Sequence, residues 1–197
     1  MKTTICLLCS TLLLTGCVYH TGALRSQVRS YAGDGVITDV SVGSPPFFWS
    51  PGFRIVLPAF DPAKPYEQSY NLKNVPKNSD KEVSMINVSF LGDWSMDLDQ
   101  IKQKTTSNLS FEILDDTGAI VKSLTIPFND KNTIWSWMQT SEGGEFGLWV
   151  HEEPCSEKNT FYFDPAKHYT LHITYIPGEV PPSANRIWIT IKNGGTI

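Results

Sequence analysis

The chain has 197 residues, of which 41% are hydrophobic, 12% aromatic and 18% charged, a mixture that buries a core and is neither disordered nor fibrous. Its 16 Lys plus Arg against 20 Asp plus Glu give a net charge of −4, with no basic excess to neutralise a phosphate backbone. Nucleic acid is therefore not an expected partner.

The first element in chain order is an address. Lys2 precedes an apolar stretch at 5–14, interrupted by Ser10 and Thr11, which has the length of a secretory core and falls short of the roughly 20 residues of a membrane-spanning helix. It closes on Leu14-Thr15-Gly16-Cys17, an aliphatic residue and two small ones before a nucleophilic sulfur. These four residues resemble the lipobox of bacterial lipoproteins. The resemblance implies diacylglycerol transfer to Cys17, cleavage after Gly16, and acylation of the new amino terminus by a palmitate-type chain. Val18, where Asp would signal inner-membrane retention, implies an outer-membrane lipoprotein facing the periplasm. Several acyl chains hold firmly, because each buried methylene contributes about 0.8 kcal/mol while one chain alone binds marginally.

The implied organisation is a signal peptide over 1–16, a lipidated N-terminus and tether over 17–34, and a single folded body over 35–197. Cys6 and Cys9 leave with the peptide and Cys17 takes lipid, so Cys155 remains as a lone thiol with no internal disulfide to make. A buried, inert Cys155 is expected.

From Gly35 onward the pattern has period two. Val36, Thr38, Val40 and Val42 share one face. Phe53, Ile55 and Leu57 follow, then Ile86, Val88 and Phe90. Leu109, Phe111 and Ile113 lead into Asp115-Asp116-Thr117-Gly118, and Ile120, Leu124 and Ile126 return, which predicts a hairpin closed by turn-forming residues. Further strands are predicted over 132–139, 146–150, 159–163, 168–176 and 186–193. In the last two, Tyr169, Leu171, Ile173 and Tyr175 share a face, as do Ile187, Ile189 and Ile191. Only 95–104, with Leu98 and Ile101 three apart, suggests a helical turn. Many short strands with almost no helical period predict an all-β, antiparallel two-sheet sandwich, jelly-roll or immunoglobulin-like.

Two aromatic groups are the candidate partner-binding residues. Phe47, Phe48 and Trp49 sit between Pro45, Pro46 and Pro51, in a stretch unsuited to a central strand, and form either a lid or an apolar tip. Trp135 and Trp137 share one strand face and Trp188 lies between Ile187 and Ile189. If the isoleucines line the core, all three indoles face outward, as a platform for sugar stacking or as interface anchors; with the faces inverted, the tryptophans are themselves the core.

Metal and catalytic patterns are weak. His151, Glu153 and Cys155 alternate, but the outer two are roughly 13 Å apart on a strand, and His168 and His172 fail for the same reason. Asp93, Asp97 and Asp99 lack the glycine and terminal Glu of a calcium loop. No nucleophile-elbow, zinc-helix or phosphate-loop motif occurs. No cofactor and no metal is expected. The resulting expectation is a lipid-anchored, non-enzymatic protein-binding module, of immunity type against an incoming toxin, with glycan or peptidoglycan binding through exposed tryptophans as the alternative.

Overall fold

A computed structural model of the chain describes residues 24, 26–42, 50–77, 84–92, 105–129, 133–140, 143–150, 160–179 and 184–193. The alternating runs become strands because each sheet face needs one apolar row and tolerates one polar row. In chain order they are β1 (Val36–Val42), β2 (Ser50–Val56), β3 (Tyr66–Lys73), β4 (Ser84–Gly92), β5 (Asn108–Leu114) and β6 (Ile120–Pro127). β7 (Thr133–Thr140), β8 (Gly143–Val150), β9 (Thr160–Phe161), β10 (His168–Ile176) and β11 (Ala184–Asn193) complete the set. A short helix, α1, covers 26–30, with residue 24 also helical.

The strands form two antiparallel sheets, one ordered β1-β2-β11-β4-β8-β7 with β9 added against β4, the other β3-β10-β5-β6. The chain winds between them so that β2 pairs β11, β3 pairs β10, β4 pairs β8 and β5 pairs β6. These nested pairs are the jelly-roll order of a two-sheet sandwich, extended by β1 and β7 on the larger sheet.

The core lies between the sheets. Phe53 and Ile55 of β2, Ile86, Val88 and Phe90 of β4, and Ile187, Ile189 and Ile191 of β11 come from one side. Leu109, Phe111 and Ile113 of β5 and Tyr169, Leu171, Ile173 and Tyr175 of β10 come from the other. Burying each such side chain contributes about 1.5–3 kcal/mol. The Tyr175 hydroxyl donates to the Pro62 carbonyl at 2.8 Å and lies 2.9 Å from Ser107 Oγ, which accepts the Gly178 N–H at 3.0 Å. Burial raises its pKa, so the buried phenol stays a neutral partner for these groups.

The predicted β5–β6 hairpin is present. The Asp115 carboxylate accepts hydrogen bonds from the Thr117 N–H at 2.9 Å, the Thr117 hydroxyl at 2.6 Å and the Ala119 N–H at 3.1 Å. Those donors, the Thr117 hydroxyl foremost, hold its pKa below the usual carboxylate range. Gly118 closes the turn at φ 82°, where a side chain would be strained.

The structure differs from the expected pattern in three places. Val36 is exposed and Ile37, its neighbour on the other row, packs against the core, because Ile37 is the residue opposite Ile55. β3 is a strand that the apolar pattern does not announce; most of its positions are exposed, and Tyr70 and Leu72 supply its buried anchors. The expected tether over 17–34 ends earlier than predicted: Leu24 is 2% exposed within the core, and Val28 and Tyr31 pack against it. The expected helical turn at 95–104 lies outside the described residues.

The segment after α1 closes the free edge of β3. Ala32 N–H donates to the Lys73 carbonyl at 3.2 Å, Asp34 N–H to the Asn71 carbonyl at 2.7 Å, and Asn71 N–H to the Asp34 carboxylate at 2.7 Å. Gly33 permits the approach: a Cβ there would lie 2.6 Å from the Asn71 carbonyl oxygen. An open strand edge invites unwanted pairing, and this strap removes it. Leu24→Ala is expected to cost about 2–5 kcal/mol in urea unfolding of the mature chain, as for a core leucine; a free tether residue would leave the midpoint unchanged.

Candidate functional site

The outer face of the smaller sheet is built from the rows of β3, β10, β5 and β6 that alternate with the core rows. Ser69, His172 and Glu112 stand in one line across the strands, with Ser123 beyond them. Glu67, Thr174, Ser110 and Thr125 stand in the next. Ser69 Oγ lies 3.0 Å from His172 Nδ1, and Thr174 Oγ1 lies 3.4 Å from His172 Nε2. Glu67 Oε1 is 3.6 Å from the same Nε2, and the hydroxyls of Ser110 and Thr125 are 2.9 Å apart. Tyr70, Phe111, Tyr169 and Tyr175 on these strands turn inward and are buried. This face therefore offers hydroxyl, imidazole and carboxylate groups and no stacked ring.

His172 links a serine hydroxyl to a carboxylate, the residue types of a hydrolytic triad. The Glu67 contact is longer than a hydrogen bond, and the Glu67 side chain is 73% exposed. A reacting group on this open strand surface would sit in water, without the desolvated surroundings that make such a triad effective. The arrangement suits hydrogen bonding to a partner surface. His168, four residues back on the same strand, faces Lys73. Among the described residues no group of three or more His, Cys, Asp or Glu side chains could hold a metal ion.

The register separates the candidate tryptophans. Trp188 lies opposite Ser89, in the row that alternates with core residues Ile187 and Ile189, and is half-buried. Trp135 lies opposite Leu148, itself opposite Val88, and Trp137 lies opposite Phe146, itself opposite Phe90. Those two positions thus belong to the row of β4 that enters the core, while Trp188 belongs to the other row. The ladder does not bring the three positions onto one face; the side chains of β7 lie outside the described residues. Around Trp188 the outward positions Asn87, Ser89 and Thr190 are themselves buried, and Asn87 Oδ1 has no hydrogen-bond partner among the described residues.

Cys17, Phe47, Phe48 and Trp49 lie outside the described residues, as do His151, Glu153 and Cys155, and Asp93, Asp97 and Asp99. The strand ends flanking 43–49 are nevertheless placed. Val42 pairs Ser50, and Phe53 lies opposite Asn193 one step beyond the Lys192–Met85 pair. β4 begins there, after the 74–77 segment that receives α1. Lys77 N–H donates to Gln27 Oε1 and Asn74 Nδ2 to the Ser30 carbonyl, both at 2.9 Å.

No helix among the described residues is long and apolar enough to cross a membrane. A scan of the chain against protein-family models gives no match, and no curated protein matches its sequence.

The edge strap and the His172 network are the features that sequence reasoning missed. The outward row His168, Thr170, His172, Thr174 was legible as the polar partner of Tyr169, Leu171, Ile173 and Tyr175, but Ser69 and Glu67 come from a strand with no clear apolar signal. His172→Ala is expected to change unfolding free energy by less than about 1 kcal/mol, the range of exposed pairs, in denaturant titration at pH 6 and pH 8.

Proposed function

We propose that this chain is an outer-membrane-anchored periplasmic lipoprotein whose jelly-roll body binds a protein partner and catalyses no reaction. The observation that carries this reading is the Leu14-Thr15-Gly16-Cys17 sequence, which ends seven positions before Leu24, the first core residue among those described. Such an address leaves a strand-built body tethered at a membrane surface, where an immunity-type role of neutralising a toxin reaching the periplasm is one binding task that suits it.

Two features favour a protein partner over a glycan. The outer face of the smaller sheet presents Ser69, His172, Glu112, Thr174 and Ser110 with no Phe, Tyr or Trp ring in these rows, which suits polar contacts in a protein interface. Sugar stacking needs aligned rings, and the register puts Trp188 in a different row from Trp135 and Trp137. The Phe47-Phe48-Trp49 sequence supplies the aromatic residue types that dominate interface hot spots.

Metabolic labelling with palmitate tests the anchor: the mature protein carries label, and Cys17→Ser abolishes both labelling and membrane fractionation. An unlabelled mature product would overturn it. For binding, the immobilised mature chain retains a periplasmic protein from an envelope extract, and Trp49→Ala weakens that capture with an unchanged melting temperature. Retention of glycan fragments in place of any protein, with quenching of tryptophan fluorescence, would overturn the protein-binding reading.

A further inference from the structure

Resting on the lipid-anchor reading, we propose that one end of the sandwich is its membrane-facing surface, laid against phospholipid headgroups: the end formed by α1, residues 74–77 and the turn at 164–168. Leu24 is buried in the core, the 31–34 strap is bonded along β3, and α1 is held by Gln27 and Ser30 against 74–77. Residues 18–23 alone separate this fixed point from Cys17. Seven residue steps span at most about 25 Å even when fully extended. An eighteen-residue tether would have let the body stand well clear of the bilayer; this one holds α1 near it.

The two ends of the smaller sheet are about 30 Å apart, from the rise along a strand of this length. The turn carrying Lys64 precedes the start of β3, whereas Lys73 ends it beside His168. With α1 confined, the Lys64 end points away from the membrane in an upright body. Charge agrees with that orientation. Arg29 and Lys73 are exposed at the α1 end and meet no ion-pair partner among the described residues; Lys64 at the far end is already paired with Asp61 at 3.0 Å. Among the described carboxylates at the α1 end, Asp34 accepts the Asn71 N–H, Asp115 and Asp164 accept N–H groups of their own turns, and Asp116 sits on the exposed hairpin tip.

The far end and the flanks, including the hydroxyl-lined face around His172, stay open to a protein partner. The test uses lipidated mature protein, purified from membranes and reconstituted in vesicles of phosphatidylethanolamine and phosphatidylglycerol. In a Cys155→Ser background, a donor dye is placed at Lys73→Cys or at Lys64→Cys, with acceptor dye on lipid headgroups. Energy transfer is expected to be higher from position 73 than from 64, and that difference is lost when a flexible spacer of about twelve residues is inserted after Val18. Equal transfer from both positions in protein that floats with the vesicles overturns the orientation and leaves the anchor intact. Protein that neither floats nor carries palmitate overturns the anchor, and the orientation with it.

Discussion

The structure depends on the pairing of β10 between β3 and β5. Tyr169, Leu171, Ile173 and Tyr175 leave one face of that strand and are all buried, so the register of three strands is fixed by one apolar row. A slip of one residue would expose all four side chains and bury His168, Thr170, His172 and Thr174 in their place. The same constraint operates on β11, where Ile187, Ile189 and Ile191 tie β2 to β4. Because these two strands are long and strongly patterned, the sandwich closes around them and the shorter strands take the positions that remain.

What the central strands leave open, the chain ends must cover. β3 begins one sheet edge and carries a largely polar sequence, so its own side chains hold it weakly. The strap at 31–34 supplies backbone partners, and Leu24, Val28 and Tyr31 add apolar contact beneath it. The cost is that the N-terminal residues are no longer a spacer. A segment that a polar composition marks as linker thus contributes to the edge protection of the smaller sheet, and so to the shape of the surface around Ser69 and His172.

Much of the fold was legible in the sequence because β-branched and aromatic residues alternate clearly in β5, β6, β10 and β11, and because Asp115 and Gly118 identify their turn. β3 was not legible, since Tyr66, Tyr70 and Leu72 are too sparse among polar neighbours to outweigh a loop reading. The start of the body was missed for a related reason. Leu24, Val28 and Tyr31 have the i, i+4, i+7 spacing of one helix face, but a single short stripe carries little weight when local helical signal is judged by length. The tryptophans expose a deeper limit. Alternation shows that Trp135 and Trp137 share a row, yet Ile134 and Met138 in the other row are equally suited to a core. Only the strand across from them, running through Leu148 to Val88 and Phe146 to Phe90, distinguishes the two choices.

Long-range pairing also changes what the polar residues mean. His168 and His172 read as a failed metal pair when considered along one strand, four residues and roughly 13 Å apart. Across strands, His172 meets Ser69 and Glu67 from β3 and stands opposite Glu112 of β5. These partners are distant in sequence and are brought together by the same register that buries Tyr169 and Leu171. The polar cluster on this face is thus a by-product of core packing: the apolar row chooses the alignment, and the alignment determines which hydroxyls, carboxylates and imidazoles become neighbours. A substitution that loosens the inward row would disperse the outward cluster even without touching it.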